Sequence, residues 1–148
     1  MRPTIVNLLC LLMMLIGLRV PAAAQDFIGV VKSIEGSAVI QRSETTIPVV
    51  DGMEIQKGDI VRTDRNSSVG LVFTDDTRIS MGPGTEIAVD DYLFEPLEKK
   101  LSFVLRMIQG TVSFLSGQVA KLSPESVRLV MPAATIGVRG THVLIKVD

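Results

Sequence analysis

The chain has 148 residues, 15 of them basic and 16 acidic, with one histidine, one cysteine, one tyrosine and no tryptophan. That length holds one domain with a real core, and a second domain would not fit beside it. A net charge of −1 with scattered basic residues argues against nucleic acid as a partner, because backbone binding needs clustered lysine and arginine to displace counterions.

The N-terminus carries one early positive charge at Arg2, an apolar run from about Ile5 to Leu18, and the small residues Ala22, Ala23 and Ala24. This layout predicts a secretory signal peptide over residues 1–24, cleaved after Ala24. A membrane-spanning helix needs roughly 20 apolar residues, and Arg19 interrupts this run early. Membrane attachment is therefore expected only if the signal stays uncleaved. Cys10 follows Leu9 inside the apolar run, with no small residue before it, so no lipid anchor is expected. Cleavage removes Arg2, Arg19 and Cys10, and the 15 basic residues fall to 13 against 16 acidic, a net charge of −3. The mature chain, residues 25–148, then forms no disulfide of its own and relies on core packing.

Beyond the signal, apolar residues recur with a period of two in short runs broken by glycine and aspartate, the pattern of strands and turns. IGVVKSIEGSAVIQR gives two runs around Glu35 and Gly36, and IPVVDGMEIQKGDIVRT gives further short ones with turns at DG and KGD. Val69, Leu71 and Phe73 share a face, Asp75 and Asp76 supply a turn, and Ile79 and Met81 return. Gly82, Pro83 and Gly84 turn again before Ile87 and Val89, which predicts a meander of at least three strands. Leu101, Phe103, Leu105 and Met107 alternate up to a turn at Gln109 and Gly110, after which Val112 and Phe114 continue. LSPES reads as a turn. Val127, Leu129 and Met131 run to Pro132, a strand end, bulge or edge, and Val143, Ile145 and Val147 close the chain. The fold class expected is all-β, a single jelly-roll-like sandwich or short β-roll of many short strands.

Catalysis needs a constellation of groups, and few of the usual members are present. His142 lies in an alternating run without a nucleophile motif, and reads as a surface strand residue. Asp75–Asp76 and Asp90–Asp91 lack the alternating acid spacing of a calcium loop and read as turn or strand-end residues. With one imidazole and no thiol in the mature chain, no transition-metal site is expected. No cofactor is expected, and the chain is read as a non-enzyme. A cell-wall hydrolase using paired carboxylates is the weakest alternative.

One stretch, ATIGVRGTHVLIKV, sets Arg139 among apolar neighbours. Gly137 and Gly140 flank it, as if to let the backbone bend where a side chain would clash. A guanidinium there needs a carboxylate or carbonyls, so one reading makes Arg139 an internal clamp with Asp59 or Asp64 as its partner. The other makes it a partner-facing hot spot on an exposed loop, with Gly137, Gly140 and Thr141 around it.

In order along the chain, GVVKSIEGSAVIQR, GMEIQKGDIVRTDRNSSVGLVFTDDTRISMGPGTEI, IQGTVSF and PAATIGVRGTHVLIKV together resemble the FecR domain family, from about Phe27 to Val147. The resemblance implies an extracytoplasmic all-β domain of a bacterial envelope. In the best-known members it belongs to a membrane-spanning regulator that relays a signal from an outer-membrane transporter to a cytoplasmic sigma factor. This sequence shows no cytoplasmic segment before its apolar run, so direct anti-sigma activity is not expected. The last strand stops at Asp148. Either a C-terminal portion is missing, or a partner strand completes the sheet edge. The expected function is a periplasmic or secreted, non-catalytic module that binds an envelope protein or cell-wall component. The alternative is a signalling component acting with a separate membrane regulator.

Overall fold

The computed structural model describes residues 27–148, so the expected signal peptide and its cleavage point lie outside the described residues. Twelve strands follow one another: β1 (Phe27–Glu35), β2 (Ala38–Arg42), β3 (Thr45–Pro48), β4 (Glu54–Gln56), β5 (Ile60–Thr63), β6 (Ser68–Phe73), β7 (Arg78–Met81), β8 (Glu86–Glu95), β9 (Lys100–Leu115), β10 (Val127–Met131), β11 (Ala134–Gly137) and β12 (His142–Val147). A short helix, α1 (Gln118–Leu122), lies between β9 and β10. The all-β class read from the sequence is the observed one.

The strands form one continuous sheet that folds over on itself at β9. One half runs β4-β1-β6-β7-β9-β12 and the other β3-β2-β5-β8-β9-β10-β11. All pairs are antiparallel except β9 with β10, which run parallel. A parallel pair needs a crossover rather than a hairpin, and α1 with the turn at Pro124–Ser126 supplies it.

Residue Gly110 explains how one strand serves both halves. Phe103, Leu105 and Met107 are buried in the first part of β9 and Val112 and Phe114 in the second, so the inward face changes phase between them. Gly110 takes the left-handed φ of +96° at that point. The pair Gln109–Gly110, expected to be a turn, is instead the place where an unbroken 16-residue strand passes from one layer to the other. The expected meander is corrected for the same reason. β7 and β8 do not pair with each other across Gly82–Gly84, because each pairs with a different part of β9.

The two layers share one core. Phe73 of β6 packs against Tyr92 of β8 and Phe103 of β9 with ring centroids 5.6 and 4.9 Å apart, and Phe103 meets Phe114 edge-on at 5.6 Å. These tilted and edge-on contacts suit the aromatic quadrupole and tie β6, β8 and both parts of β9 together. Ile40, Ile55, Val61, Leu71, Ile79, Ile87 and Leu129 fill the space around them. Helix α1 was not legible in the sequence, being too short for a helical period to show. Its start is fixed by β-turn groups described next.

Candidate functional site

The motif residues that carry the family resemblance fall into three buried polar knots, and the first is centred on Asp59. Gly58 before it takes φ +88°, which turns the chain into β5. The Asp59 carboxylate accepts two parallel hydrogen bonds from Arg42, Nε at 2.9 Å and Nη2 at 2.7 Å, and a third from the Gln56 amide at 2.9 Å. Arg42 also donates to the Glu54 carbonyl at 3.0 Å. The expected clamp between Arg139 and Asp59 is therefore corrected: the guanidinium that fills this carboxylate comes from β2, and Arg139 pairs with neither Asp59 nor Asp64. Asp59 is 1% exposed and Arg42 28%. Removing the arginine strands a buried charge, whereas removing the aspartate leaves a cation that reaches water. Arg42→Met should thus cost about 3 kcal/mol and Asp59→Leu clearly less. In a double-mutant cycle read by urea denaturation, the pair should lose less than the sum of the two.

The second knot forms around Asp75, which is 0% exposed. Its side chain accepts from the Thr77 amide at 3.1 Å, the Thr77 hydroxyl at 2.7 Å, the Val119 amide at 3.1 Å and the Tyr92 hydroxyl at 3.3 Å. Its carbonyl accepts from the Gln118 amide at 2.7 Å, so both groups meet the first turn of α1. Thr77 Oγ1 accepts in turn from the Gly117 amide at 3.1 Å. Asp75 and Asp76 do make the expected turn, with Asp76 at φ +68°. The burial of Asp75 was not visible in the sequence, since it depends on partners some forty residues away.

Burial, together with the nearby Asp75 charge, pushes the Tyr92 phenol well above its ordinary range, against a lowering contribution from Thr74, whose hydroxyl lies 2.7 Å from the phenol oxygen. As the folded state holds this proton more tightly than the unfolded chain, the stability it contributes is intact below the unfolded value near 10 and is lost as pH rises beyond it. Tyr92 is the only tyrosine and the chain has no tryptophan, so tyrosinate absorbance near 295 nm reports this one group. Ionisation should be absent where free tyrosine titrates and should coincide with alkaline unfolding.

The third knot joins the layers at the bend in β9. Thr63 donates to the Gly82 carbonyl at 2.7 Å and accepts from the Thr85 amide at 2.9 Å. Thr85 donates to the Thr111 carbonyl at 3.2 Å and accepts from the Thr111 amide at 3.0 Å. On the outer surface, Asp90 and Asp91 are mid-strand residues of β8 rather than turn or strand-end residues. Asp90 pairs with Arg106 at 2.9 Å and Asp91 with Lys57 at 2.7 Å. The Lys57 and Ser102 side chains hold the Asp91 carboxyl below the usual carboxylate range.

The stretch between β11 and β12 differs in kind. Val138 is buried at 1%, while Gly137, Arg139, Gly140 and Thr141 are all exposed. Ser116 fixes the loop from below: its hydroxyl donates to the Gly140 carbonyl at 2.5 Å and its amide to the Thr141 carbonyl at 2.8 Å. Thus Arg139 projects from a segment anchored on both sides. Its charge contributes a little to holding the Glu125 carboxyl below the usual range, the larger cause being the Ser123 hydroxyl at 2.7 Å. The expected reason for the two glycines is corrected: a Cβ at Gly137 or Gly140 would meet nothing within 4 Å, and neither takes a left-handed φ. His142 is exposed on β12, as expected, and its Nε2 lies 2.6 Å from Ser113 Oγ. Among the described residues no acid hydrogen-bonds this imidazole, and no group of three or more His, Cys, Asp or Glu could hold a metal ion.

Polar knots thus close the β-domain, and an anchored loop carries Arg139 at its surface. A family model described as FecR protein matches residues 59–148, from the buried Asp59 to the end of the chain. That is 90 of 148 residues, and the chain belongs to the FecR family. The family is a signalling and regulatory one associated with the cell envelope. No curated protein and no solved structure matches the chain. Among the described residues, no helix is long and apolar enough to cross a membrane.

Proposed function

We propose that the chain is a periplasmic or secreted, non-catalytic binding module that offers Arg139, framed by Gly137, Gly140 and Thr141, to a protein or cell-envelope partner. The observation that carries this reading is the loop itself: an exposed arginine held by the buried Val138 and by two bonds from Ser116. Arginine is among the residues that dominate interface energetics, and a pre-ordered loop loses little entropy on binding. Asp59 has a scaffold role in this reading, holding β2 to β5 beneath the surface. Family membership favours a second, narrower form, in which the module works in envelope signalling together with a separate membrane regulator. The test is cross-linking in intact cells of the chain tagged at its C-terminus, with captured partners read by mass spectrometry. A specific envelope partner is the expected result, and a transporter or membrane regulator would select the signalling form. Recovery of nothing specific would overturn the binding reading.

A further inference from the structure

Among the described residues the folded sheet has four open edges, at β3, β4, β11 and β12. An open edge presents unpaired N–H and C=O groups to any extended chain unless something blunts it. Three of the four are blunted. The edge of β4 is engaged internally, since the Glu54 carbonyl accepts from Arg42 and the Gln56 amide donates to Asp59. Strand β3 ends on Pro48, which has no N–H to give, and β12 carries His142 and Lys146. The exception is β11, Ala134 to Gly137, which has neither charge nor proline, pairs with β10 alone and is exposed at every residue. Only Pro132 and Ala133 connect it to β10, so Met131 and Ala134 close a hairpin. The N–H and C=O groups of Thr135 and Gly137 then turn to the open side.

The surroundings of this edge select what it accepts. Arg128 of β10 lies directly across from Gly137 on the outer face, is exposed, and has no ion pair or side-chain hydrogen bond among the described residues. A Cβ at Gly137 would meet nothing within 4 Å, so no contact inside the fold requires the glycine, and its missing side chain leaves Arg128 reachable from the open side. The nearby acids are engaged elsewhere, Asp90 by Arg106, Asp91 by Lys57 and Glu125 by Ser123. On the inner face Ile136 is 38% exposed, with no strand beyond it. Repeating N–H and C=O groups at strand spacing belong to an extended peptide and not to a glycan or a lipid surface. A second copy of this edge brings no carboxylate, since residues 132–139 contain one arginine and no acid. We propose that β11 takes up an extended acidic segment of a protein partner as an added strand. A carboxylate beside Gly137 meets Arg128, and the neighbouring apolar side chain covers Ile136. This rests on the binding reading above and names the partner's chemistry, with Arg139, two residues beyond Gly137, as a second cation for the same segment.

The probe is a capped peptide of about eight alternating glutamate and valine residues, a length typical of a strand. The same peptide with lysine in place of glutamate is the comparison. Each is added to the full chain while amide hydrogen exchange is followed residue by residue by NMR. The glutamate peptide should slow exchange at Thr135 and Gly137 about tenfold, and should half-saturate at a concentration about tenfold below that of the lysine peptide. Arg128→Glu, at an exposed position, should reverse that preference. Unchanged exchange at Thr135 and Gly137, protection of β12 in place of β11, or equal half-saturation by the two peptides would overturn the inference. Partner capture that depends on Arg139 while β11 stays unprotected keeps the binding reading and removes this one. Protection of β11 with no partner captured in cells removes the binding reading and leaves the edge as a peptide site.

Discussion

Replacing Asp75 by alanine should lower the stability of the domain by about 4 kcal/mol, the sum of several buried donors each costing about 1–3 kcal/mol when left unmade. The carboxylate receives the Thr77 and Val119 amides and the Thr77 and Tyr92 hydroxyls, and it is fully buried, so water cannot replace it without opening the fold. The loss should reach beyond the turn itself. With the Val119 amide unbound, the start of α1 loses one of its three ties to the turn at 75–76, and the crossover to β10 loosens. Asp75→Asn should not rescue it fully, because the amide sets a donor against a site lined by donors. Urea denaturation of both variants checks this. A midpoint for Asp75→Ala close to that of the unaltered chain would show that the hub is not required.

Gly110→Ala is expected to cost about 3 kcal/mol or more, from a left-handed backbone strain of roughly 1–2 kcal/mol and an overpacking cost of roughly 1–3 kcal/mol. The residue sits at φ +96°, and a Cβ there would meet the Cα, Cβ and Oγ1 of Thr85, with the Thr85 Cβ only 2.7 Å away. Thr85 cannot retreat cheaply, since it is fully buried and bonded to both Thr63 and Thr111. The substitution should separate the two layers at their common strand. By contrast, Gly84→Ala, also at positive φ but with nothing within 4 Å, should show the backbone strain alone. Equal losses at the two positions, measured by thermal denaturation, would remove the steric part of the argument.

Strand existence and inward faces were legible because they are local. Val69, Leu71, Phe73, Ile79 and Met81 alternate in the sequence and are buried in the fold, and β10 does stop before Pro132. Pairing was not legible, because periodicity says which side of a strand is apolar and nothing about its neighbour. A glycine with positive φ serves a tight turn and a strand that changes layers equally well, so Gln109–Gly110 could not be told from a hairpin. The polar partners show the same limit. Asp59 was read as a partner for Arg139, yet its arginine is Arg42, 17 positions away on β2 with no local mark. Asp75 and Asp90 looked alike as members of acidic pairs, and only the fold separates a buried hub from an exposed partner of Arg106. Of the terminal stretch, the sequence left open whether Arg139 faced inward or outward, and its exposure removes the inward clamp.

Asp59, Asp75 and Gly110 hold the fold, and in the function proposed above Arg139 serves contact with a partner. Cross-linked partner yield from intact cells carrying Arg139→Met tests it most directly, with the urea midpoint of the same variant beside it. An unchanged midpoint and a yield reduced by about tenfold are the expected results. A lowered midpoint with the partner still captured at full yield would contradict it.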